Sequence, residues 1–402
     1  MKLIILRRPR LACGALAVAA ALTALTAASA AVADCVPVAT WVSPGPAGAQ
    51  PIAAAELLAR LARQSVVLLG EAHDNAEHHR WQLQTLTVLH ALRPDMVLAF
   101  EMFPRRAQPV LERWVSGELT ETEFLAAAEW RRVWNFDPQL YLPIFHFARM
   151  NRVPMVALNV DREFTRTVTA KGFDAVPVEQ REGVTRPAAP TADYLDFLLP
   201  VYGSHERPVR DAKKADRDDP AFLRFVESQQ VWDRAMAQGI AAASARQTTP
   251  LVVAIIGTGH LAHGYGVPHQ LEDLGVANVA WLLPWEHGGD CGRLTAGYAD
   301  AVFGMAAKRA TGNASRRPRL GVMIEASGDG VRIQRVEKGS IAEAAGIREG
   351  DIVGEAAGVP VKESGDLIAV VQRQAPGTWL PLKVKREDGT LDIIAKFPPA
   401  GP

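Results

Sequence analysis

Two apolar segments of the chain end in the same arrangement of glycine and histidine. A run from residue 66 leads to Gly70 and, three residues later, His73, and a run from residue 253 leads to Gly257 and His260. An unbroken apolar run of this length is typical of a strand buried on both faces. The glycine permits a sharp turn, which would leave each histidine at a strand's carboxyl end, where open α/β sheets bind ligands. We therefore predict that both histidines face one cleft, the alternative being two ordinary strand-to-loop turns.

Two carboxylates are expected at the same edge as the paired histidines. Glu71 precedes His73 by two residues, and Glu101 ends another apolar run. Two imidazoles with one or two carboxylates can hold a hard or borderline divalent metal and leave positions open. The same groups can instead act as general acid and base. The sequence thus predicts a metal site formed by Glu71, His73, Glu101 and His260, with acid–base catalysis or mutual hydrogen bonding as alternatives.

A second group of candidate ligands follows the second histidine. His260, His263 and Tyr265 lie within one segment that also supplies apolar residues for a porphyrin, and haem iron accepts His or Tyr as an axial ligand. If the ligand is haem, as the family resemblance described below implies, we expect Tyr265 or a neighbouring histidine to reach the iron, with Tyr202 as a rival ligand. The sequence has no CxxCH motif, which excludes covalent haem attachment.

Other histidines and tryptophans are expected to have ordinary roles. His78 and His79 are adjacent on a predicted helix, so they cannot both face one ligand, and we expect them to be solvated. Trp134 and Trp232 fall within helical runs and are expected in the core.

Strands and helices alternate along most of the chain. This alternation predicts parallel pairing with right-handed crossovers, hence one α/β domain over residues 50–300 with a mainly parallel sheet flanked by helices. A proline-rich, charged stretch from Phe173 to Asp219 is interpreted as a helical insertion that caps the cleft. Strands are predicted at Val66–Leu69, Met96–Glu101, Pro154–Asn159, Leu251–Ile256 and Val279–Leu283, and the main helices at Ala53–Arg63, Glu77–Leu92 and Ala221–Ala243.

The amino terminus has the pattern of a secretory signal peptide over residues 1–33. A basic start precedes an Ala/Leu-rich run, and cleavage is expected near Ala33. A transmembrane anchor is the alternative, and lipid attachment at Cys35 stays open although Asp34 directly before it argues against it. We expect a periplasmic or secreted protein, with membrane association left open.

Cleavage would leave Cys35 and Cys291, which in an oxidising compartment are expected to form a disulfide, with two free thiols as the alternative. The 44 basic and 44 acidic residues balance, so no nucleic-acid partner is expected. A homodimer stays open.

Composition changes after a basic linker over residues 308–318. The following residues, 319–398, alternate in short runs that predict a small β-rich domain. The segment from Val336 to Val353 resembles the GSPAxxAGLxxGDxI core of bacterial PDZ domains, and Arg319–Val322 resembles their carboxylate-binding loop. The resemblance implies that a partner's carboxyl-terminal peptide adds as a strand beside a helix at Asp366–Gln374. The predicted peptide-binding residues are Leu320, Gly321, Val322 and Ile324.

The larger domain resembles the haem-binding uptake (ChaN) family, within the Tiki/erythromycin-esterase-like superfamily, from about Val66 to Pro284. The resemblance implies periplasmic or surface handling of haem or iron, and relatives in the wider superfamily are hydrolases or proposed metalloproteases with the same Glu/His set. Its most specific segments are LLGEAHDN (68–75), FEMF (100–103), QVWDRAMA (230–237) and GTGHLAHGYGVP (257–268).

The predicted function is therefore exported haem or iron binding for uptake, with a PDZ module that docks a partner's carboxyl terminus. One alternative is a periplasmic metal-dependent hydrolase or protease that uses the paired histidines. Another is an adaptor whose first domain has lost its chemistry. Haem absorbance of the purified protein would distinguish the haem-binding hypothesis from the two alternatives.

Overall fold

The computed structural model describes residues 35–46, 48–205, 216–307, 318–387 and 389–399. The chain divides into two compact units, Met1–Ala307 and Lys308–Pro402, which are taken in turn below. The expected signal peptide over residues 1–33 lies outside the described residues, as do residues 308–317 of the expected linker. None of the helices in the described ranges combines the length and apolar character needed to span a bilayer.

The first unit contains an eight-stranded sheet in the order β2-β1-β8-β7-β3-β6-β4-β5. Pairing is parallel from β8 through to β5, whereas β1 pairs antiparallel with β8 and with β2. The expected fold class, a mainly parallel sheet flanked by helices, is confirmed. The strands are β1 (Trp41–Ser43), β2 (Gln50–Ile52), β3 (Val66–Glu71), β4 (Met96–Pro104), β5 (Met155–Asn159), β6 (Leu251–Gly257), β7 (Val279–Glu286) and β8 (Ala301–Met305).

Helices cover both faces of this sheet. Alternate residues of β3 point to opposite faces, with Val67 and Leu69 in one apolar core and Val66 and Leu68 in the other. Both faces are therefore dry, as the unbroken apolar strands predict. The helices are α1 (Ala54–Leu61), α2 (Ala76–Leu92), α3 (Gln108–Ser116), α4 (Glu121–Ala127), α5 (Trp130–Val133), α6 (Leu142–Met150), α7 (Arg162–Lys171), α8 (Ala192–His205), α9 (Pro220–Ser244) and α10 (Val267–Asp273).

The two faces recruit different helices. Helices α1, α2, α3 and α6 supply apolar residues to the first core, and α9 and α10 supply them to the second. The expected insertion contains α8, whose Tyr194 and Leu198 pack against Phe222 and Val226 of α9. Residues 206–215 of the insertion are not among those described.

The predicted Cys35–Cys291 disulfide is confirmed, with the two Cα atoms 5.8 Å apart. It joins the start of the described chain to a turn that follows β7. Strands β1, β2 and β8 are short, between three and five residues long, and the sequence did not predict them. A stretch this short carries too few residues to show a period of two.

The second unit is an antiparallel sheet in the order β14-β13-β11-β10-β9, with β12 paired to β11. Alternate residues of its strands form one core with Leu367 and Val371 of α12. The elements are β9 (Val322–Ser327), β10 (Gly330–Val336), α11 (Ile341–Ala344), β11 (Ile352–Ala356), β12 (Val359–Pro360), α12 (Ser364–Gln372), β13 (Trp379–Arg386) and β14 (Gly389–Lys396).

Candidate functional site

The two glycine–histidine segments lie side by side at the centre of the sheet. Strand β3 pairs in parallel with β6, and Glu71 stands opposite Gly257 in the register. Strand β4, which carries Glu101, is the other neighbour of β6. The carboxyl ends of these three strands therefore present the predicted side chains at one edge, as the sequence indicates.

The glycines allow close packing rather than a sharp turn. Gly257 has an ordinary φ of −56°, and β3 continues through Gly70 to Glu71. A Cβ atom on Gly257 would lie 2.9 Å from Cε1 of His73, and one on Gly70 would lie 2.5 Å from Cδ2 of Leu283. The sequence analysis explained the two glycines by a sharp turn, and this explanation was wrong. Glycine is needed at these positions because a neighbouring side chain occupies the space where a Cβ atom would lie.

A buried carboxylate orients the first histidine. His73 Nδ1 lies 2.8 Å from Oε1 of Glu71, which also accepts a 2.7 Å hydrogen bond from the hydroxyl of Tyr141. The other oxygen of Glu71 accepts from Gln82 and lies 3.3 Å from Nδ1 of His79. Four polar groups thus surround this carboxylate. Because His73 uses Nδ1 for this contact, its Nε2 makes no hydrogen bond to the described residues.

The second histidine has a matching carboxylate from a helix. Nδ1 of His260 lies 2.7 Å from Oδ1 of Asp233, which is fully buried on α9. Oδ2 of Asp233 accepts a 2.7 Å hydrogen bond from the hydroxyl of Tyr194. The two histidines are therefore held in the same way, each by an acidic residue at Nδ1 and each acid by a tyrosine.

Glu101 occupies the space between the two histidines. Its Oε2 accepts a 2.5 Å hydrogen bond from the backbone N–H of Gly257, and its Oε1 lies 3.7 Å from Nε2 of His260. Its charge also acts on His73. We call Glu71, His73, Glu101, Asp233 and His260 the carboxyl-edge cluster.

Tryptophan rings flank both histidines of the cluster. The ring of Trp134 stands edge-on to His73 with a centroid distance of 4.6 Å, and Trp232 stands edge-on to His260 at 6.0 Å. Both are half-buried, so they wall the cluster as well as packing into the domain. The side chain of His73 is 29% exposed and that of His260 is 12% exposed, so His73 is the more open of the two histidines.

The expected solvation of His78 and His79 was wrong. Both are buried on the face of α2 that covers the sheet. His78 accepts a hydrogen bond from the backbone N–H of Ala72, and His79 bonds to the carbonyl of His73. Their rings satisfy polar groups of the loop after β3, which a helix seen in isolation does not reveal.

A separate group of aromatic residues lies where the chain leaves β6. His263 and Tyr265 stack at 15° with their ring centroids 5.1 Å apart, and Phe197 of α8 lies 6.0 Å from each. Tyr202 of α8 packs within the same apolar cluster as Tyr265. We call Phe197, Tyr202, His263 and Tyr265 the aromatic surface. All four are half-buried, so their rings remain partly open to a ligand.

The predicted haem ligands thus fall in two places. His263, Tyr265 and Tyr202 belong to the aromatic surface, whereas His260 belongs to the carboxyl-edge cluster. Tyr194 connects the two regions, because its hydroxyl bonds to Asp233 while its ring lies 6.1 Å from that of Tyr265. No hydrogen bond from the described residues reaches the Tyr265 hydroxyl.

The second unit has an open strand edge beside a helix. Within the described residues β9 pairs only with β10, and α12 lies next to it. Gly321 takes a left-handed φ of +77°, and a Cβ there would lie 2.4 Å from Cβ of Ser340. Leu320 is buried, and Val322 and Ile324 are half-buried against the core. The predicted peptide-binding residues therefore form the start of this groove.

A profile of the family described as haem-binding uptake, Tiki superfamily, ChaN matches residues 57–271, which is more than half of the chain. The chain belongs to this family. The carboxyl-edge cluster and the whole aromatic surface fall within the matched residues. A PDZ domain profile matches residues 318–396, so the second unit is a PDZ domain. Among curated proteins, the sequence comparison finds no match.

The ChaN fold is also found among solved structures. ChaN of Campylobacter jejuni, solved in a study of cofacial haem binding, has 17% identity and a TM-score of 0.51, and the alignment covers 67% of this chain and 96% of that chain. The PDZ domain of HtrA3, solved with a phage-derived ligand, has 24% identity and a TM-score of 0.18, with 19% of this chain and 82% of that chain covered.

The two histidine-bearing regions of this ChaN-family domain differ in the direction in which nearby charges shift the pKa of their histidines. Burial alone would lower the pKa of His260, but the charge and hydrogen bond of Asp233 outweigh it and raise the pKa to about 9. Burial likewise opposes protonation of His73 and His79, yet hydrogen bonds to Glu71 raise the pKa of both. The surroundings therefore raise the pKa of all three imidazoles.

The pKa of Glu71 in the cluster and the pKa of His263 on the aromatic surface are both lowered. Burial would raise the pKa of Glu71, but hydrogen bonds from His73 and His79 lower it to about 2. Burial and the charge of Arg293 lower the pKa of His263, so its imidazole favours the neutral state. Burial also raises the pKa of Tyr265. A neutral imidazole has a free lone pair for a metal, whereas a protonated imidazole does not.

The arrangement bears directly on the predicted metal site. The structure brings Glu71, His73, Glu101 and His260 together, but as hydrogen-bonded pairs. Within the part of the chain that the structure describes, no group of three or more His, Cys, Asp or Glu is placed to hold a metal ion. What the cluster can do as it stands is exchange protons, since two oriented imidazoles face a carboxylate.

Sequence reasoning missed the residues that orient the histidines. Asp233 lies on the apolar face of α9, three residues before Met236 and four before Ala237, both of which are buried. An acidic residue on the buried face of a helix requires a partner, and this was the available signal. Tyr141 and Tyr194 gave no comparable signal, because a tyrosine is common in any core.

Proposed function

We propose that this protein is an exported haem-binding protein that serves haem or iron uptake and whose PDZ domain docks the carboxyl terminus of a partner. The observation that carries the haem proposal is the aromatic surface. It offers half-buried rings, a Tyr265 hydroxyl without a hydrogen bond from the described residues, and the neutral imidazole of His263 beside it. Membership of a haem-binding family supports the same ligand.

The residues of the aromatic surface fit haem chemically. Haem supplies a flat apolar macrocycle and an iron atom that accepts an axial oxygen or nitrogen ligand. Phe197 and the stacked rings of His263 and Tyr265 offer apolar contact, and Tyr265 or His263 offers the axial ligand. Tyr202, packed on Phe222 and Phe225, is the third candidate. His260 is less suited, because its Nε2 faces Oε1 of Glu101 at 3.7 Å and its side chain is only 12% exposed.

Titration of the purified protein with haemin tests this proposal. We expect a saturable Soret band that is shifted from that of free haemin. Tyr265→Phe should change the iron spectrum while much of the affinity remains, because apolar contact with the macrocycle persists. Tyr298→Phe is the matched control, since Tyr298 packs on the other side of His263 and is buried. Absence of a saturable band in the unaltered protein would refute the proposal.

Export is supported by the Cys35–Cys291 disulfide, which requires an oxidising compartment to persist. Cleavage near Ala33 would leave Cys35 close to the new amino terminus. Intact-mass analysis of protein from a cell envelope fraction should show the loss of residues 1–33 and no free thiol until a reductant is added. A full-length mass with alkylated cysteines would contradict both.

Peptide docking is supported by the open edge of β9 and the left-handed Gly321. Backbone N–H groups at such a glycine loop can bind a terminal carboxylate, and the strand edge can pair with the peptide. A peptide with a free apolar carboxyl terminus should bind with roughly micromolar affinity, about −8 kcal/mol. Amidation of that terminus should weaken binding strongly, and equal binding of both forms would exclude a carboxylate site.

A second candidate is a periplasmic metal-dependent hydrolase or protease. The specific observation in its favour is that two oriented imidazoles face Glu101 in a cluster walled by Trp134 and Trp232. Hydrolysis that a chelator abolishes and that His73→Ala with His260→Ala also abolishes would support it. Activity that survives the chelator would leave acid–base chemistry without a metal.

A further inference from the structure

A short turn beside the aromatic surface carries an arginine on a fixed backbone. The 3₁₀ turn Cys291–Arg293 begins at Asp290, whose side chain accepts a hydrogen bond from the N–H of Gly292. Cys291 is held by its disulfide, and Leu294 is buried in the second core. The backbone of Arg293 is therefore anchored on both sides, although its side chain is exposed.

This arginine lies close to the aromatic surface. Leu294, the next residue, packs in the same core as Leu261, Ala262 and Tyr298, and the ring of Tyr298 lies 5.0 Å from that of His263. The charge of Arg293 acts on both of these rings. The backbone of the same segment also holds His263, because the N–H of His263 donates to the carbonyl of Tyr298. A backbone hydrogen bond thus joins the segment after β7 to the loop after β6, which carries His263 and Tyr265.

Arg293 has no carboxylate partner within the residues that the structure describes. Two acidic residues are also near the aromatic surface, since the charges of Asp193 and Asp196 act on Tyr265 and that of Asp193 acts on His263 as well. Asp196 is paired with Arg217. A guanidinium that is exposed, anchored at its backbone and unpaired costs little to bring to an anion, and its planar fork matches a carboxylate.

We propose that Arg293 binds a carboxylate of the ligand on the aromatic surface, so that the site selects a flat apolar macrocycle that carries carboxylate groups, as haem does in its propionates. This inference rests on the proposed haem function.

The test compares haemin with haemin dimethyl ester, in which both carboxylates are masked. Each is titrated into the full chain carrying Arg293→Gln, into the unaltered chain and into Arg166→Gln, an exposed arginine of α7 that serves as the control. We expect the unaltered chain and the control to prefer haemin over the ester by roughly tenfold or more, as for a hydrogen bond to a charged group. Arg293→Gln should lose most of that preference while binding the ester as before.

The outcomes separate this inference from the proposed function. If haemin binds and Arg293→Gln retains the full preference for the free acid, the role of Arg293 is overturned and haem binding stands. If neither haemin nor its ester binds the unaltered chain, both fall together. Equal loss of haemin and ester affinity in Arg293→Gln would show a general disturbance of the surface and would also overturn the carboxylate contact.

Discussion

Two regions of the ChaN-family domain carry histidines, and their surroundings shift the pKa of these histidines in opposite directions. The carboxyl-edge cluster surrounds His73 and His260 with carboxylates, which raise the pKa of both rings. The aromatic surface surrounds His263 with rings and a nearby arginine, which lower its pKa. The same side chain is thus shifted toward the protonated state in one place and toward the neutral state in the other. Environment, rather than residue type, assigns the role.

Paired histidines in a sequence therefore do not by themselves identify a metal site. Each histidine of the cluster bonds an acid through Nδ1, an orientation that metal-ligating histidines also have, yet no group of three or more ligand residues in the described part of the chain is placed to hold a metal ion.

Asp233→Asn should be the most damaging change to the cluster. It removes the carboxylate from His260 and leaves a buried imidazolium without its partner, which costs on the order of 3–5 kcal/mol in the free energy of unfolding. Denaturant unfolding measures this loss. Asp219→Asn is the matched control on the same helix, because Asn still caps the amino terminus of α9. Equal stability of the two variants would mean that His260 is not held as a charged group.

The free energy of unfolding should also fall at alkaline pH. The pKa of His260 is about 9 in the folded protein against an ordinary 6.5, so its contribution is complete below pH 6.5 and is lost as pH rises through 9. The loss should reach about 3 kcal/mol. Glu71, with a pKa of about 2, stabilises the fold above pH 4.5 and stops doing so as pH falls through 2. Unfolding curves from pH 5 to 10 should therefore decline at the upper end, and a flat profile would contradict the assignment.

Much of this account could be predicted from the sequence, for identifiable reasons. The runs that became β3 and β6 are apolar throughout, and only a strand covered on both faces needs that composition. Their glycines and histidines then fell at one edge by parallel pairing alone. The PDZ domain was recognisable because its glycines occupy fixed turn positions, as Gly321 shows.

The remainder depended on contacts between distant parts of the chain. Asp233 reaches His260 from a helix, and Tyr141 reaches Glu71 across 70 residues. No local sequence pattern predicts either of these contacts. His79 was misplaced for the same reason, since its burial depends on which face of α2 meets the sheet.

Gly257→Ala should disturb the cluster by crowding. The new methyl group would lie 2.9 Å from Cε1 of His73 and 3.4 Å from Oε2 of Glu101, so the ring must shift at a cost of about 1–3 kcal/mol. Gly259→Ala is the control, because open space surrounds that position. Thermal unfolding compares the two, and a larger loss for Gly259→Ala would contradict the packing role given to Gly257.

The smallest contrast is between two tyrosines that touch one another. Tyr194→Phe removes a buried hydroxyl bonded to a carboxylate and should cost about 1.5–3 kcal/mol. Tyr265→Phe removes a hydroxyl that makes no such bond and should change the free energy of unfolding by under about 0.5 kcal/mol. Chemical denaturation resolves the difference. A large loss for Tyr265→Phe would mean that its hydroxyl serves the fold rather than a ligand.

The central claim is that haem binds at the aromatic surface and not at the carboxyl-edge cluster. Haemin titration of two double variants tests it most directly, with circular dichroism to verify that each is folded. His263→Ala with Tyr265→Phe should lose the shifted Soret band. His73→Gln with His260→Gln, which keeps hydrogen-bond donors beside Glu71 and Asp233, should retain it. The opposite pattern, with the band lost only in the second variant, would contradict the account.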